Sequence, residues 1–158
     1  MHKSIIKKLD KIKKTRLFTL HEVEALSIEQ LNRIPDGFNN NIIWNLAHMV
    51  SAFEAICYLR AGLAVTIDDQ YLTPYLTNTR PTSFIGEGQT NEIKRLLVST
   101  VENFQVNAGK NLFNSYEPSA NIFKQYNISL TSIDDAIEFL LFHDGYHAGC
   151  ISVLKRFV

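Results

Sequence analysis

Residues 138–151 read EFLLFHDGYHAGCI and carry two histidines four positions apart, His143 and His147, inside a run of apolar residues. At about 100° per residue, positions i and i+4 share one helical face. Ala136, Phe139, Leu140, His143, His147, Cys150, Leu154 and Phe157 then fall on a single stripe. The pattern predicts a buried helix face with two imidazoles in its middle. One satisfied core histidine is ordinary, but two on consecutive turns both need partners. A divalent metal coordinated by both rings supplies them, and so does a hydrogen-bonded pair in a core or groove. A third ligand elsewhere in the chain decides between the two.

A candidate lies in the helix that opens at Asn39-Asn40-Asn41, extends to about Arg60 and ends at Gly62. Its stripe holds Asn41, Trp44, His48, Ala52, Ala55 and Leu59, with His48 in mid-face. Trp44, one turn earlier, reads as core before it reads as part of a cofactor site. Asn45 is either a hydrogen-bonding partner for a ligand or a polar residue at the edge of the helix packing.

Two further helices complete the pattern. Residues 3–24 place Ile5, Leu9, Ile12, Leu20 and Val23 on one face. Lys3, Lys7, Lys11 and Lys14 cluster opposite, as a solvated face rather than a phosphate or membrane contact, since the chain carries compensating acids. Residues 26–32 predict a short extra turn with Ser27 as N-cap and Gln30 completing a capping box, and Pro35-Asp36-Gly37 breaks the chain. Residues 90–113 predict a helix with Ile93, Leu96, Leu97, Thr100, Val101 and Phe104 inward; residues 114–129 read as irregular. Thr131 is the expected cap of the last helix, with Asp134 three residues on. Between the second and third helices, residues 63–89 form a connection too long for a plain loop. There Tyr71, Tyr75 and Phe84 either roof a pocket or pack on the helices, and Arg80 is a candidate contact for an anionic substrate. The expectation is one all-α domain over residues 1–158, a four-helix bundle with a long second-to-third connection.

Composition narrows the classes. The 158 residues are 46% hydrophobic and 20% charged, as in ordinary globular domains. Lys+Arg and Asp+Glu are 16 each, so no overall field favours nucleic acid or an anionic membrane. Cys57 and Cys150 lie in apolar helical patterns and read as buried thiols, not a disulfide framework. No apolar run is expected to reach membrane-spanning length and the lysine-rich start lacks a signal-peptide core, so a cytoplasmic location is expected. The Asn127-Ile128-Ser129 sequon is then accidental. His48, His143 and His147 would leave a fourth position for water or substrate, the pattern of catalytic metal sites. No Glu-x-x-His pair suggests a di-iron site, and Asp144 after His143 departs from the metalloprotease helix.

The segment WNLAHMVSAFE, residues 44–54, resembles the W-x-L-x-H segment of the DinB-like (YfiT-like) metal-binding bundles, and HDGYHAGCI, residues 143–151, resembles their H-x-x-x-H-x-G-Q-I segment. The resemblance extends over the whole chain in helix count, motif order and the long connection. It implies His48, His143 and His147 as ligands of one divalent ion, zinc, nickel or another, an up-down-down-up bundle, and a homodimer. It also implies either transfer of a low-molecular-weight thiol to an electrophile or metal-dependent hydrolysis. Where the family often has Gln, this chain has Cys150, on the ligand stripe one turn beyond His147. Cys150 is either a fourth ligand that closes the site or a small buried hydrophobe, and the second is the expectation.

Three functions follow. A thiol transferase would bind its small-molecule thiol as thiolate over the open site. A hydrolase would activate water and need a general base, for which Asp144 and Glu54 are candidates, although Asp144 sits about 100° off the ligand face. A non-catalytic bundle would be stabilised by the metal or would sense it, and would work through its dimer surface. A pocket on the open side, with Arg or Lys in it, favours the first.

Overall fold

A computed structural model of the chain describes residues 3–110 and 112–158, with Lys3 as backbone only. The place of the Lys3 side chain on the basic face, and the helix expected through residue 111, lie outside these residues. The described residues form helices and turns and contain no strand. The order is α1 (Lys3–Glu22), α2 (Ile28–Asn32), α3 (Ile42–Cys57), α4 (Glu87–Ala108), α5 (Ala120–Tyr126) and α6 (Ile133–Leu154).

Helix α3 is the one the others surround. It is apolar on nearly every side, and of its residues only Ala55 is not fully buried. Asn41 caps it, accepting from the Trp44 N–H at 2.9 Å, and donates to the Asn32 carbonyl at 2.8 Å, which ties α2 to its start. The capping box of α2 is formed by Ser27 and Gln30. Beyond α3 a 3-10 turn, Leu59–Ala61, leads to Gly62, whose φ of 70° is the left-handed conformation that glycine adopts without a Cβ penalty. Contrary to the expectation that no apolar run reaches membrane-spanning length, the segment Ile42–Ala61 is long and apolar enough to cross a membrane, because as the central helix it is apolar on nearly every side and mostly buried inside the protein.

Hydrogen bonds and ion pairs set how the long helices lie. Lys8 pairs with Asp134 and Glu138, Arg16 with Asp144 and Lys155 with Glu22, so α1 and α6 run side by side in the same sense. Asn45 meets His147 and His48 meets His143, so α3 runs against α6. Helix α4 packs on α1 and α3, with the Phe104 ring edge-on to Phe53.

Two apolar clusters fill the interior. One joins Val23, Leu31, the first half of α3, Leu97, Ile151 and Leu154; the other joins Leu9, Ile12, Phe53, Val101, Phe104 and Leu140. Burying each such side chain contributes about 1.5–3 kcal/mol. Along α1, α4 and α6 the junction between the clusters falls at Arg16, Thr100 and Asp144, all fully buried. A polar layer thus divides the core.

Four further expectations need correction. Helix α4 begins at Glu87, because Gly86 accepts from the Thr90 N–H, and ends at Gly109. Phe113 packs against Tyr58 and Phe104 from outside the helix, which explains its apolar character without helical continuation. Residues 114–129 are not irregular throughout: α5 lies there, capped by Ser119 and closed by Asn127 at φ 53°. The cap of α6 is Ser132, one residue later than Thr131; its hydroxyl accepts from the Asp135 N–H, and the Asp135 carboxylate accepts from the Thr131 N–H and hydroxyl.

Candidate metal centre

The antiparallel pairing of α3 and α6 brings His48 opposite His143 and His147. All three are buried, and one potential donor nitrogen from each lies within 4.8 Å of the others. The three side chains could therefore hold a metal ion. Their polar neighbours fix which nitrogens are free. His48 Nδ1 lies 2.6 Å from the Tyr75 carbonyl oxygen, which only accepts, so Nδ1 carries the proton and Nε2 a lone pair. Asn45 donates its amide NH2 to the Asn41 carbonyl at 2.7 Å and to Asn40 Oδ1 at 3.2 Å. That orientation leaves Asn45 Oδ1 as an acceptor 2.8 Å from His147 Nδ1, which again leaves Nε2 free.

The third ring tests the fit to a cation. His143 Nε2 lies 3.3 Å from His48 Nε2, and His143 Nδ1 is buried without a hydrogen-bond partner, 3.6 Å from an Asp144 oxygen. With the Nδ1 proton toward Asp144, two Nε2 lone pairs face each other. With the proton on Nε2, the Nδ1 lone pair faces a carboxylate. Each neutral tautomer leaves one like-with-like contact, and a cation shared by the Nε2 atoms removes the first. The residues present fit a divalent ion with nitrogen ligands.

Electrostatics keeps the His48 and His147 rings ready as donors. Burial, with the charge of His143 adding to it, pushes His48 down to about 4. Burial together with His143 and His48 pushes His147 down to about 2. Trp44 stacks on His48 at 4.8 Å and 7° between planes, and Tyr146 stands edge-on to His147 at 5.2 Å, so neither ring swings freely.

Asp144 is held from behind. Arg16 Nε donates to its Oδ2 at 2.6 Å, and the same guanidinium donates to the Leu97 and Met49 carbonyls and to Thr100. Burial by itself would raise the Asp144 carboxyl; the Arg16 charge and the nearby His143 ring outweigh it and keep the group below the usual carboxylate range. It is not placed to accept a proton on the open side. Nor is Glu54, whose buried carboxylate accepts from the Thr66 N–H at 2.7 Å and hydroxyl at 2.8 Å. Both candidate bases are thus engaged elsewhere.

On its open side the cluster faces a cavity of about 530 Å³ between α3, α6 and α5. The cavity is walled by apolar residues such as Ala52, Ile56 and Phe139, with amides from Asn78, Asn121 and Gln125. Cys150 lines it, half-buried, and is not part of the three-histidine cluster. Burial raises its thiol, so it stands as a protonated wall residue rather than a thiolate. Arg80 borders a different cavity of about 220 Å³ on the other side of Trp44. Phe84 is 59% exposed and roofs nothing, while Tyr71 and Tyr75 pack in the core. The cation in the larger cavity is Arg60, on the 3-10 turn that follows the helix carrying His48.

A family model described as the DinB superfamily matches residues 12–151. The chain belongs to the DinB superfamily. No curated protein matches it.

Proposed function

We propose that this member of the DinB superfamily holds one divalent ion, zinc or nickel, on His48, His143 and His147 and transfers a low-molecular-weight thiol to an electrophilic small molecule. The observation that carries this reading is a buried set of three imidazoles with its open side on a cavity containing a cation and no carboxylate. A bound ion there supplies positive charge that favours the thiolate form of an incoming thiol. Tyr75 and Asn45 orient the His48 and His147 rings. Apolar residues of α3, α5 and α6 exclude water from the sulfur, and Arg60 meets negative charge on the incoming molecule. The thiol gives up its proton to solvent, its sulfur bonds the electrophilic carbon, and the leaving group departs with its electron pair. Hydrolysis is the weaker reading, because neither Asp144 nor Glu54 is placed as a base; a purely structural ion would not account for the cavity.

The same reading takes residues 1–158 as one domain, with α1, α3, α4 and α6 as an up-down-down-up four-helix bundle, working as a cytoplasmic homodimer. The test is catalytic. Zinc- or nickel-loaded protein is incubated with glutathione or cysteine and 1-chloro-2,4-dinitrobenzene, and thioether formation is followed. Acceleration that disappears on chelation and in His147→Ala supports the proposal. No acceleration with any thiol–metal combination, or acceleration unchanged in His147→Ala, contradicts it.

A further inference from the structure

Arg60 is the cation of the cavity that faces the three histidines, and no described acid pairs with it. Arg16, Lys8, Lys13 and Arg95, by contrast, all meet carboxylates. Nor does any Asp or Glu line the cavity. A guanidinium left unpaired beside an apolar wall is a fork of donors for a planar anion.

Its placement gives a ruler. His48, Ala52, Ile56 and Arg60 follow one another at four-residue steps and all line the cavity. From His48 to Cys57 the α-helix rises about 14 Å, and Arg60 lies beyond it in the 3-10 turn Leu59–Ala61. Ala52 and Ala55, small residues on the same side, leave the floor between them open. Asn121 and Gln125 of α5 supply polar groups along the way. A compact ligand reaches one end of this groove, whereas an extended one reaches both.

We propose that Arg60 is the anion-recognition residue of this cavity, and that its ligands are extended small molecules with a carboxylate at one end and the reacting thiol at the other. The carboxylate sits on the Arg60 guanidinium while the sulfur lies over the histidines. This rests on the thiol reading of the site. Among the described residues the Arg60 side chain has no hydrogen-bond or ion-pair partner, and its backbone carbonyl, which accepts from the Glu117 N–H at 2.7 Å, is unaffected by substitution. Arg60→Gln and Arg60→Lys should therefore fold.

The test uses cobalt-loaded protein and two thiols of equal length, 6-mercaptohexanoate and 6-mercaptohexanol, with the sulfur-to-cobalt charge-transfer band as readout. The acid is expected to bind the wild-type protein about tenfold more tightly than the alcohol, the lower end of a charge-assisted hydrogen bond. Arg60→Gln should reduce that preference to within about twofold, Arg60→Lys should keep part of it, and the alcohol should bind all three proteins alike. Equal binding of acid and alcohol by the wild type, or a preference that survives Arg60→Gln, overturns the assignment. If neither thiol changes the spectrum, the thiol reading itself fails. Calorimetric titration with hexanoate then isolates Arg60: binding lost in Arg60→Gln supports anion recognition, and no binding to the wild type overturns it.

Discussion

Arg16 and Asp144, 128 residues apart in sequence, form a fully buried ion pair with Nε 2.6 Å from Oδ2, and the other Asp144 oxygen stands 3.6 Å from His143 Nδ1. The guanidinium also reaches carbonyls of α3 and α4 and lies over the Phe53 ring at 4.8 Å, so one side chain of α1 touches every other long helix. Removing one partner strands a buried charge. Arg16→Met is expected to lower unfolding free energy by about 3–5 kcal/mol. The double variant Arg16→Met/Asp144→Leu should be less destabilised than Arg16→Met alone. Urea denaturation of the wild type and the variants measures this; a double variant no better than the single would mean that the pair is not the source of the loss.

Asn45 presents a second, milder handle on the site. Its amide is oriented by two carbonyl-type acceptors, so its oxygen faces His147. Asn45→Ala leaves the His147 ring without that guide. Zinc affinity measured by chelator competition should fall about 10–100-fold, the usual effect of losing such a partner, with helix content unchanged. Unaltered affinity would show that packing alone positions the ring.

Cys150 gives the opposite expectation. It lines the cavity but stands outside the histidine cluster. Cys150→Ala should bind zinc within about threefold of the wild type, far from the loss that removal of a ligand brings. A collapse of affinity in this variant would make the sulfur a fourth ligand and close the site.

Glu54 makes stability depend on pH. Burial raises its carboxyl above the ordinary value, although the Thr66 hydrogen bonds and the Arg16 charge work against the rise. A carboxyl that binds its proton more tightly when folded contributes stability that is complete below the unfolded value and is lost as pH rises through the raised folded value. Glu54→Gln has no such proton to lose. Its stability relative to the wild type should therefore increase between pH 4 and pH 8, read from paired urea midpoints. A difference that stays flat or falls would contradict the sign.

The three histidines were legible because they interrupt apolar stripes at helical spacing, and the resemblance placed them in one family site. Arg16 sits on such a stripe too, four residues after Ile12 and four before Leu20. A charge there reads as solvated until its partner on another helix is known, and Asp144 is remote in sequence. Helix α5 was not legible: it has seven residues, none fully buried, so no periodic apolar face marks it. Arg60 lay at the predicted end of its helix, but only the packing of α5 and α6 against that end makes it part of a cavity. Arg80, the cation the long connection offered, is turned to another cavity behind Trp44.

The most direct measurement is metal content by mass spectrometry on protein purified without a histidine tag, with His48→Ala alongside. The expected result is close to one divalent ion per chain, as purified or after reconstitution with zinc or nickel, and its loss in the variant. That outcome would join α3 and α6 at one centre. Wild-type protein that takes up neither ion, or a His48→Ala variant that retains it in full, would contradict the three-histidine site.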